Sequence, residues 1–493
     1  MKRIILTIIS LNTLSLFSYG NSWKGLGTED EPYLISSPQQ MAELAEEVNN
    51  GTDFQNIFFS LTNDIDLSEL YKDSLDSWTP IGSASYDFNG TFLGNNYTVN
   101  NIHINVEEDG FYFGLFGSIG EHGSIYDLTI EKGSIHATLW SGGIAASNNG
   151  IISNCKNINC SVNSWRFSGG ICGVNYNTIT NCTNEADVSS TICCGGICAY
   201  NYGTITNCSN KNRITANEGC GGICGYNGGF ADFTNCHNIK IGFIDNCSNN
   251  STILGDEKIG GITGRNDGFI VNSMNNGIIN GDQQVGGIAG YNGGFDGVTG
   301  NISNSYNIGN VMGRDTLTGG IVGYGNQASE IFNVYTTDNI RCVSLSAINY
   351  IGENSGLKEN CFILNNYSET TNYDSIVYQL NHWITIQPNQ DSYLKWGIED
   401  NKFCTITKPD SAMHDSISYD RANIPLYNKN LNEIKIFCGK GYLYIISPIR
   451  QSVVVYSIDG KAIRKIDLLS NAMTRIRLEK GVYIVDGQKV MVY

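Results

Sequence analysis

Apolar residues along this chain come in short clusters that return at fixed intervals, separated by Gly, Asn and Ser. The segments Gly142-Gly143-Ile144-Ala145, Gly169-Gly170-Ile171-Cys172, Gly195-Gly196-Ile197-Cys198, Gly221-Gly222-Ile223-Cys224, Gly260-Gly261-Ile262-Thr263, Gly286-Gly287-Ile288-Ala289 and Gly319-Gly320-Ile321-Val322 are one motif seven times. Their second glycines lie 27, 26, 26, 39, 26 and 33 residues apart. Between them runs a second element: Ile152-Ser153-Asn154-Cys155, Ile179-Thr180-Asn181-Cys182, Ile205-Thr206-Asn207-Cys208, Ile244-Asp245-Asn246-Cys247, Ile270-Val271-Asn272-Ser273 and Ile302-Ser303-Asn304-Ser305. A unit of this length is too short for a globular domain and has no helical period; it suits three strands of about five residues joined by three turns. One coil cannot bury its own inner face, so neighbours must stack about 4.8 Å apart, each strand parallel to its equivalents above and below. The pattern predicts an all-β, right-handed parallel β-solenoid. The two long intervals then read as insertions of about 13 and 7 residues in one or two loops.

Stacking turns equivalent positions into columns. Ile144, Ile171, Ile197, Ile223, Ile262, Ile288 and Ile321 are expected to line the core. The paired glycines are expected to supply a left-handed turn or a close backbone approach. Asn175, Asn201, Asn227, Asn266 and Asn292, just after the motif, are expected at positive φ and bonded to their own backbone. Cys172, Cys198 and Cys224 share one column, and Cys155, Cys182, Cys208 and Cys247 another. Ala, Thr, Val and Ser replace them in other repeats, so they read as buried free thiols filling the core; disulfides between rungs are the alternative, since rung spacing suits them. No Cys-x-x-Cys or His-x-x-x-His spacing suggests a metal.

The ends of such a stack need covers. Ser37-Pro38-Gln39-Gln40 reads as a helix start, with Ser37 as N-cap, proline in the first turn and Gln40 placed for a capping box. Met41, Leu44, Ala45 and Val48 then form one apolar stripe, predicting an N-terminal lid. From about Asn432, β-branched runs lead into Asp459-Gly460 and Asp486-Gly487, favoured hairpin turns.

Composition agrees with an ordered, turn-dense protein: 57 glycines but only 7 prolines in 493 residues, with 41% hydrophobic content. The formal charge of −17 argues against nucleic acid or anionic lipid as partner. Lys2 and Arg3 precede an apolar run from Ile4 to Phe17 and the small residues Ser18 and Gly20, which reads as a secretory signal peptide over residues 1–20. The run falls short of the roughly 20 residues that span a bilayer, so no membrane insertion is expected.

These units resemble the GLUG repeats of exported bacterial surface proteins, whose Gly-Leu-apolar-Gly core stands here as Gly114-Leu115-Phe116-Gly117. The resemblance extends to Gly27-Thr28-Glu29-Asp30-Glu31-Pro32-Tyr33, Leu61-Thr62-Asn63-Asp64-Ile65-Asp66-Leu67, Trp78-Thr79-Pro80-Ile81-Gly82 and Phe88-Asn89-Gly90-Thr91-Phe92. It implies the fold and an adhesin-like role, and it carries no catalytic residues. It also implies a second lid over Tyr373 to Trp396, where Val377-Tyr378-Gln379-Leu380-Asn381 and a distant tryptophan match the pattern that closes many such arrays. The end of the chain resembles the C-terminal sorting domain of Bacteroidetes type IX secretion substrates, through Tyr456-Ser457-Ile458-Asp459-Gly460-Lys461 and Gly481-Val482-Tyr483-Ile484-Val485. That implies a small β-sandwich and delivery to the cell surface. The expected organisation is a signal peptide at 1–20, solenoid with cap at 21–340, second cap and linker at 341–430, and sandwich at 431–493.

Candidate chemistry is sparse. From Ser141 to Ile340 there are 8 Lys or Arg, 13 Asp or Glu, and one histidine, His237. Asp64 and Asp66 are expected to bond turn backbone. Asp256, Glu257 and Asp282 are expected in an exposed charged loop, and Cys236 beside His237 should point to the opposite strand face. No Gly-x-Ser-x-Gly, His-Glu-x-x-His or phosphate loop occurs. Aromatics remain: Tyr200, Tyr226, Tyr291 and Tyr324 recur just after the glycine motif, and Trp140 and Trp165 precede two motifs about one rung apart. Aromatic faces on a rigid surface grip uncharged glycans or protein loops, or else pack turns between rungs. The expectation is a monomeric, cofactor-free, non-enzymatic surface protein that binds a glycan or protein ligand; the alternatives are a β-helical polysaccharide-active enzyme or a passive spacer.

Overall fold

The computed structural model describes residues 22–71, 77–106, 110–230, 239–294, 299–315, 317–342, 351–364, 373–387, 393–399 and 403–406. Near the C-terminus it describes strands at 435–439, 442–447, 451–457, 462–468, 472–477, 481–485 and 488–492. The expected signal peptide, Cys236, His237 and both Asp-Gly turns lie outside these residues.

The stack is a right-handed parallel β-solenoid. A rung carries more and shorter strands than the three expected: one runs Phe167–Gly169, Cys172–Asn175, Thr178–Thr180, Thr183–Glu185 and Val188–Ser190. Each strand pairs in parallel and in register with its equivalents, as in Ile152↔Ile179↔Ile205↔Ile244↔Ile270↔Ile302↔Ile331. The isoleucines of the Gly-Gly-Ile motif are completely buried in one continuous interior cluster, each contributing about 1.5–3 kcal/mol.

Two of the expected turn assignments do not hold. Asn175, Asn201, Asn227, Asn266 and Asn292 lie in extended strands, completely buried. From Asn148 to Asn266 each amide Nδ2 donates to the next rung's Oδ1 at 2.8 Å, and Asn292 Nδ2 donates to Ser329 Oγ at 2.7 Å. As expected, they also bond backbone two residues on, as when Asn201 Oδ1 accepts from Gly203 N. A second internal ladder runs Asn184, Asn210, Asn249, Asn275, Asn307 at 2.7–2.9 Å. Positive φ belongs instead to the asparagine before the cysteine column and its Ser and Val replacements: Asn154, Asn181, Asn207, Asn246, Asn272, Asn304 and Asn333 have φ of 47° to 56°, a region asparagine tolerates. The paired glycines are not left-handed. They serve close approach: a Cβ on Gly170 would fall 2.2 Å from Gly196 O.

The cysteines do more than fill space. Immediately after each left-handed asparagine, the thiols of Cys155, Cys182, Cys208 and Cys247 donate to the carbonyl two residues back at 3.2–3.3 Å. Cys182 N and Cys208 N donate to the next rung's sulfur at 3.4 Å. Ser273 and Ser305 make the same two bonds with a hydroxyl, which is why serine substitutes there. Thirteen of the cysteines are free thiols, eleven of them buried. Burial pushes the thiols of Cys155, Cys172, Cys208 and Cys220 well up and that of Cys160 up to about 12, keeping them protonated and able to donate.

The first helix, α1 (Pro38–Asn49), covers the N-terminal end as expected, with Met41, Leu44, Ala45 and Val48 joining the interior cluster. Ser37 Oγ accepts from Gln40 N, but Gln40 Oε1 accepts from Ser36 N at 2.7 Å, one residue earlier than a capping box places it. The second helix, α2 (Tyr373–Thr385), departs from the expected lid. Its Leu380, Trp383 and Ile384 cover Tyr306, Tyr335 and Leu364. Met274, Tyr306, Tyr335 and Phe362 form an outward column, so α2 buttresses the flank of the last rungs, where that apolar column needs cover. Leu394 is held between two left-handed asparagines, its N–H donating to Asn272 Oδ1 and its carbonyl accepting from Asn304 Nδ2. The parallel stack continues to Leu357–Leu364. Beyond it, antiparallel sheets of three and four strands form a small sandwich enclosing Ile445, Val455, Ile466 and Ile476. No helix among the described residues is long and apolar enough to cross a membrane.

Replacing Asn201 by Leu deprives Gly203 N and Asn227 Oδ1 of their buried partner, an expected loss of about 2–5 kcal/mol, read as faster hydrogen exchange in the adjacent rungs. Cys208→Ser should leave stability nearly unchanged. Cys208→Val strands Cys182 N and should cost about 1–3 kcal/mol, measured by urea unfolding.

Candidate functional site

The Gly-Gly-Ile corner folds two faces of each rung against one another. After the corner comes a column of small residues, Gly173, Ala199, Gly225, Gly264, Gly290 and Gly323. A Cβ on Gly264 would meet Gly219 C at 2.5 Å and Lys258 O at 2.6 Å. Outward side chains from the two faces therefore converge in an external crease along the stack. The next position carries Val174, Tyr200, Tyr226, Arg265, Tyr291 and Tyr324, all in register.

The structure thus brings the four tyrosines into one row and gives the row unequal halves. At its N-terminal end Trp140 stacks on Phe167 at 4.2 Å, and Tyr200 meets both rings edge-on. Tyr200 is only 6% exposed, so it packs the crease instead of facing solvent. Further along, Tyr226, Arg265, Tyr291 and Tyr324 are half-buried. Trp165 is not in the Trp140 column: Phe167 is the register partner of Trp140. Trp165 lies at another corner, 61% exposed, beside a groove of about 480 Å³.

Arg265 interrupts the tyrosines with a charge. Its guanidinium carbon lies 5.9 Å from the Tyr226 ring centre and 5.1 Å from that of Tyr291, a cation held between two aromatic rings. Its Nε and Nη2 donate to Asp267 Oδ2 at 2.8 and 2.7 Å. Burial pushes the Asp267 carboxyl up to about 6 against the pull of Arg265, and its Oδ1 is buried without a hydrogen-bond partner among the described residues. Tyr226 Oη donates to Glu218 Oε1 at 2.9 Å, and Lys258 Nζ joins Glu218 and Glu257, both at 2.7 Å. Burial works against the Lys258 charge, and the two carboxylates outweigh it, raising its pKa. Asn326 Nδ2 donates to Tyr291 Oη at 3.0 Å, and Tyr291 and Tyr324 rings lie 5.6 Å apart.

Both long intervals open at one corner of the rung, after Asn227 and after Asn292, the rungs immediately flanking Arg265 and Asp267. The first includes an antiparallel pair, Gly229–Phe230 with Ile239–Lys240. Sequence reasoning missed Arg265, Asp267, Glu218 and Lys258. The signal for Arg265 was its place after Gly-Gly-Ile-Thr-Gly, where the other late repeats carry tyrosine.

Of the carboxylates considered for catalysis, Asp256 and Glu257 lie in the strand Ile253–Gly260 and not in the expected loop, and Asp256 neighbours Asp282 on the next rung, whose N–H donates to the Asp256 carbonyl at 3.0 Å. Asp66 Oδ1 accepts from Asn101 Nδ2, Ser68 N and Ser68 Oγ, bonds that lower its pKa, and Asp64 accepts from Thr98 N. Glu257 holds Lys258, and Asp282 pairs with Arg314 at 3.0 Å. Among the described residues no group of three or more His, Cys, Asp or Glu is placed to hold a metal ion.

The pKa of Asp267, about 6 folded against about 3.9 unfolded, fixes a sign. The folded chain keeps this proton over that interval while the unfolded chain loses it, so the contribution is full below pH about 4 and lost as pH rises to about 6. Measured against Asp267→Asn by urea unfolding across that range, the wild-type chain should lose up to about 3 kcal/mol of relative stability.

Residues 281–312 match the GLUG motif. The chain is 34% identical over 133 residues, 26% of its length, to a "Putative Gly-rich membrane protein" of Evansella cellulosilytica. It is 32% identical over 117 residues, 23% of its length, to halomucin of Haloquadratum walsbyi. It spans 15% and 1% of those two curated relatives. Among solved structures, that of a "putative immunoglobulin A1 protease" from Bacteroides ovatus superposes with a TM-score of 0.40 at 20% identity, covering 78% of this chain and 94% of that one. This protein is a β-solenoid that carries the GLUG motif.

Proposed function

We propose that this protein is a non-enzymatic, exported adhesin-like scaffold, displayed at the cell surface, that binds a glycan or protein ligand along the Tyr226–Arg265–Tyr291–Tyr324 row. One observation carries the reading: the 26-residue period breaks twice between Gly222 and Gly320, and both breaks insert chain at the corner flanking the Arg265 rung. Half-buried aromatics on backbone locked from both sides present area at little conformational cost, as binding surfaces require. Asp64, Asp66, Glu257 and Asp282 are each held by a hydrogen bond or ion pair, which supports a role in binding over one in bond cleavage. The apolar stretch at 4–17 and the C-terminal sandwich support export and a sorting role for the last 60 or so residues.

The full chain, immobilised and probed with glycan and mucin arrays, should retain a defined set of ligands. Tyr291→Ala and Tyr324→Ala should each weaken that binding about tenfold with little change in melting temperature. No retained ligand, or binding indifferent to both substitutions, would sink the reading and leave a spacer.

A further inference from the structure

Trp165 is a large, exposed aromatic of the middle rungs that the crease does not use. Its backbone is fixed on both sides: its N–H donates to Ala137 O at 3.1 Å and its carbonyl accepts from Thr191 N at 3.2 Å. The Arg166 guanidinium lies 5.1 Å from the indole centre, holding one ring face. With 61% of the residue exposed, an indole so anchored keeps its apolar surface in water.

The groove beside it is polar and patterned. His136, Asn163 and Ser189 are register partners on three successive rungs, repeating about every 4.8 Å along the stack; His136 and Asn163 are exposed. Ser190 Oγ, also in the lining, is buried without a hydrogen-bond partner among the described residues. None of the residues lining the groove is Asp, Glu, Lys or Arg. A flat apolar ring beside a ladder of uncharged donors and acceptors matches a molecule with an apolar face and a periodic rim of hydroxyls. The ladder's repeat is close to the advance of one sugar along an extended polysaccharide. A protein loop would need an apolar pocket, for which the lining offers only Val106 and Ala137 beside Trp165.

We propose that this groove is a subsite for a neutral polysaccharide strand lying along the solenoid axis. One sugar ring stacks on the free face of Trp165, and its neighbours exchange hydrogen bonds with Asn163, His136 and Ser189. The proposal rests on the binding role argued above but occupies a different part of the rung, so the two can fail separately.

Isothermal titration of the full chain with soluble oligomers of glucose, mannose and N-acetylglucosamine, alongside oligogalacturonate, tests it. At least one neutral oligomer should bind. Trp165→Ala should weaken that binding about tenfold, Trp165→Phe should recover part of it, and Tyr291→Ala should leave it unchanged. The melting temperature should hold for Trp165→Ala, because little of the side chain is buried. Absence of neutral binding, binding by Trp165→Ala equal to wild type, or binding of oligogalacturonate alone would overturn the proposal. Loss on Tyr291→Ala without loss on Trp165→Ala would overturn it too, while sustaining the crease as the ligand site.

Discussion

A backbone that changes direction several times within 26 residues leaves peptide groups at every corner that its own rung cannot satisfy, and burying them unpaired would cost more than the isoleucine core returns. The structure meets that constraint with side chains that bridge rungs. Asparagine has a donor and an acceptor on one planar group, so a column of identical asparagines passes hydrogen bonds upward indefinitely and still reaches the local backbone. The Cys and Ser column handles the corner after each left-handed asparagine in the same manner. Both devices work only in strict register, so they fix the stacking as firmly as the apolar columns do.

Register inside imposes register outside. Because the ladder asparagine and the residue before it share a strand, locking Asn201, Asn227, Asn266 and Asn292 also locks Tyr200, Tyr226, Arg265 and Tyr291 one above the other. The surface row is a by-product of interior hydrogen bonding, and its own ring and side-chain contacts add to a rigidity the backbone already supplies. The small-residue column adds the crease, since only Gly or Ala lets the two faces approach so closely. Arg265 can sit there because Asp267 and two rings surround its charge; a lone cation in that position would be poorly solvated.

Periodicity made the architecture legible: stacked isoleucines and the tyrosine row follow from repeat spacing, which reports what each rung shares with the next, while the N-terminal lid was legible from its cap residues and apolar stripe. What spacing could not distinguish was which of two asparagine columns turns the chain. Asn175 and Asn181 are both conformationally tolerant residues near strand ends, and only the direction of the side chain, inward to its own kind or outward beside a turn, separates them. The same ambiguity hid the thiol bonds, because a small residue replaceable by Ala or Val in one column and by Ser in another looks the same in a list of substitutions. Arg265 was hidden for the opposite reason: a single departure from the repeat is weak against a strong consensus. The placement of α2 was likewise out of reach, since an amphipathic stripe states that a helix needs an apolar surface without saying which.

The two helices close the rod in different ways. One plugs the interior at an end; the other, with its Leu394 strap, grips rungs from the side and touches only the last few. Neither grip depends on how many coils lie between them, and each coil from Asn148 to Asn292 offers the same asparagine to its neighbour. The reach of the molecule is thus a free variable, open to change by whole-unit gain or loss with both closures left intact.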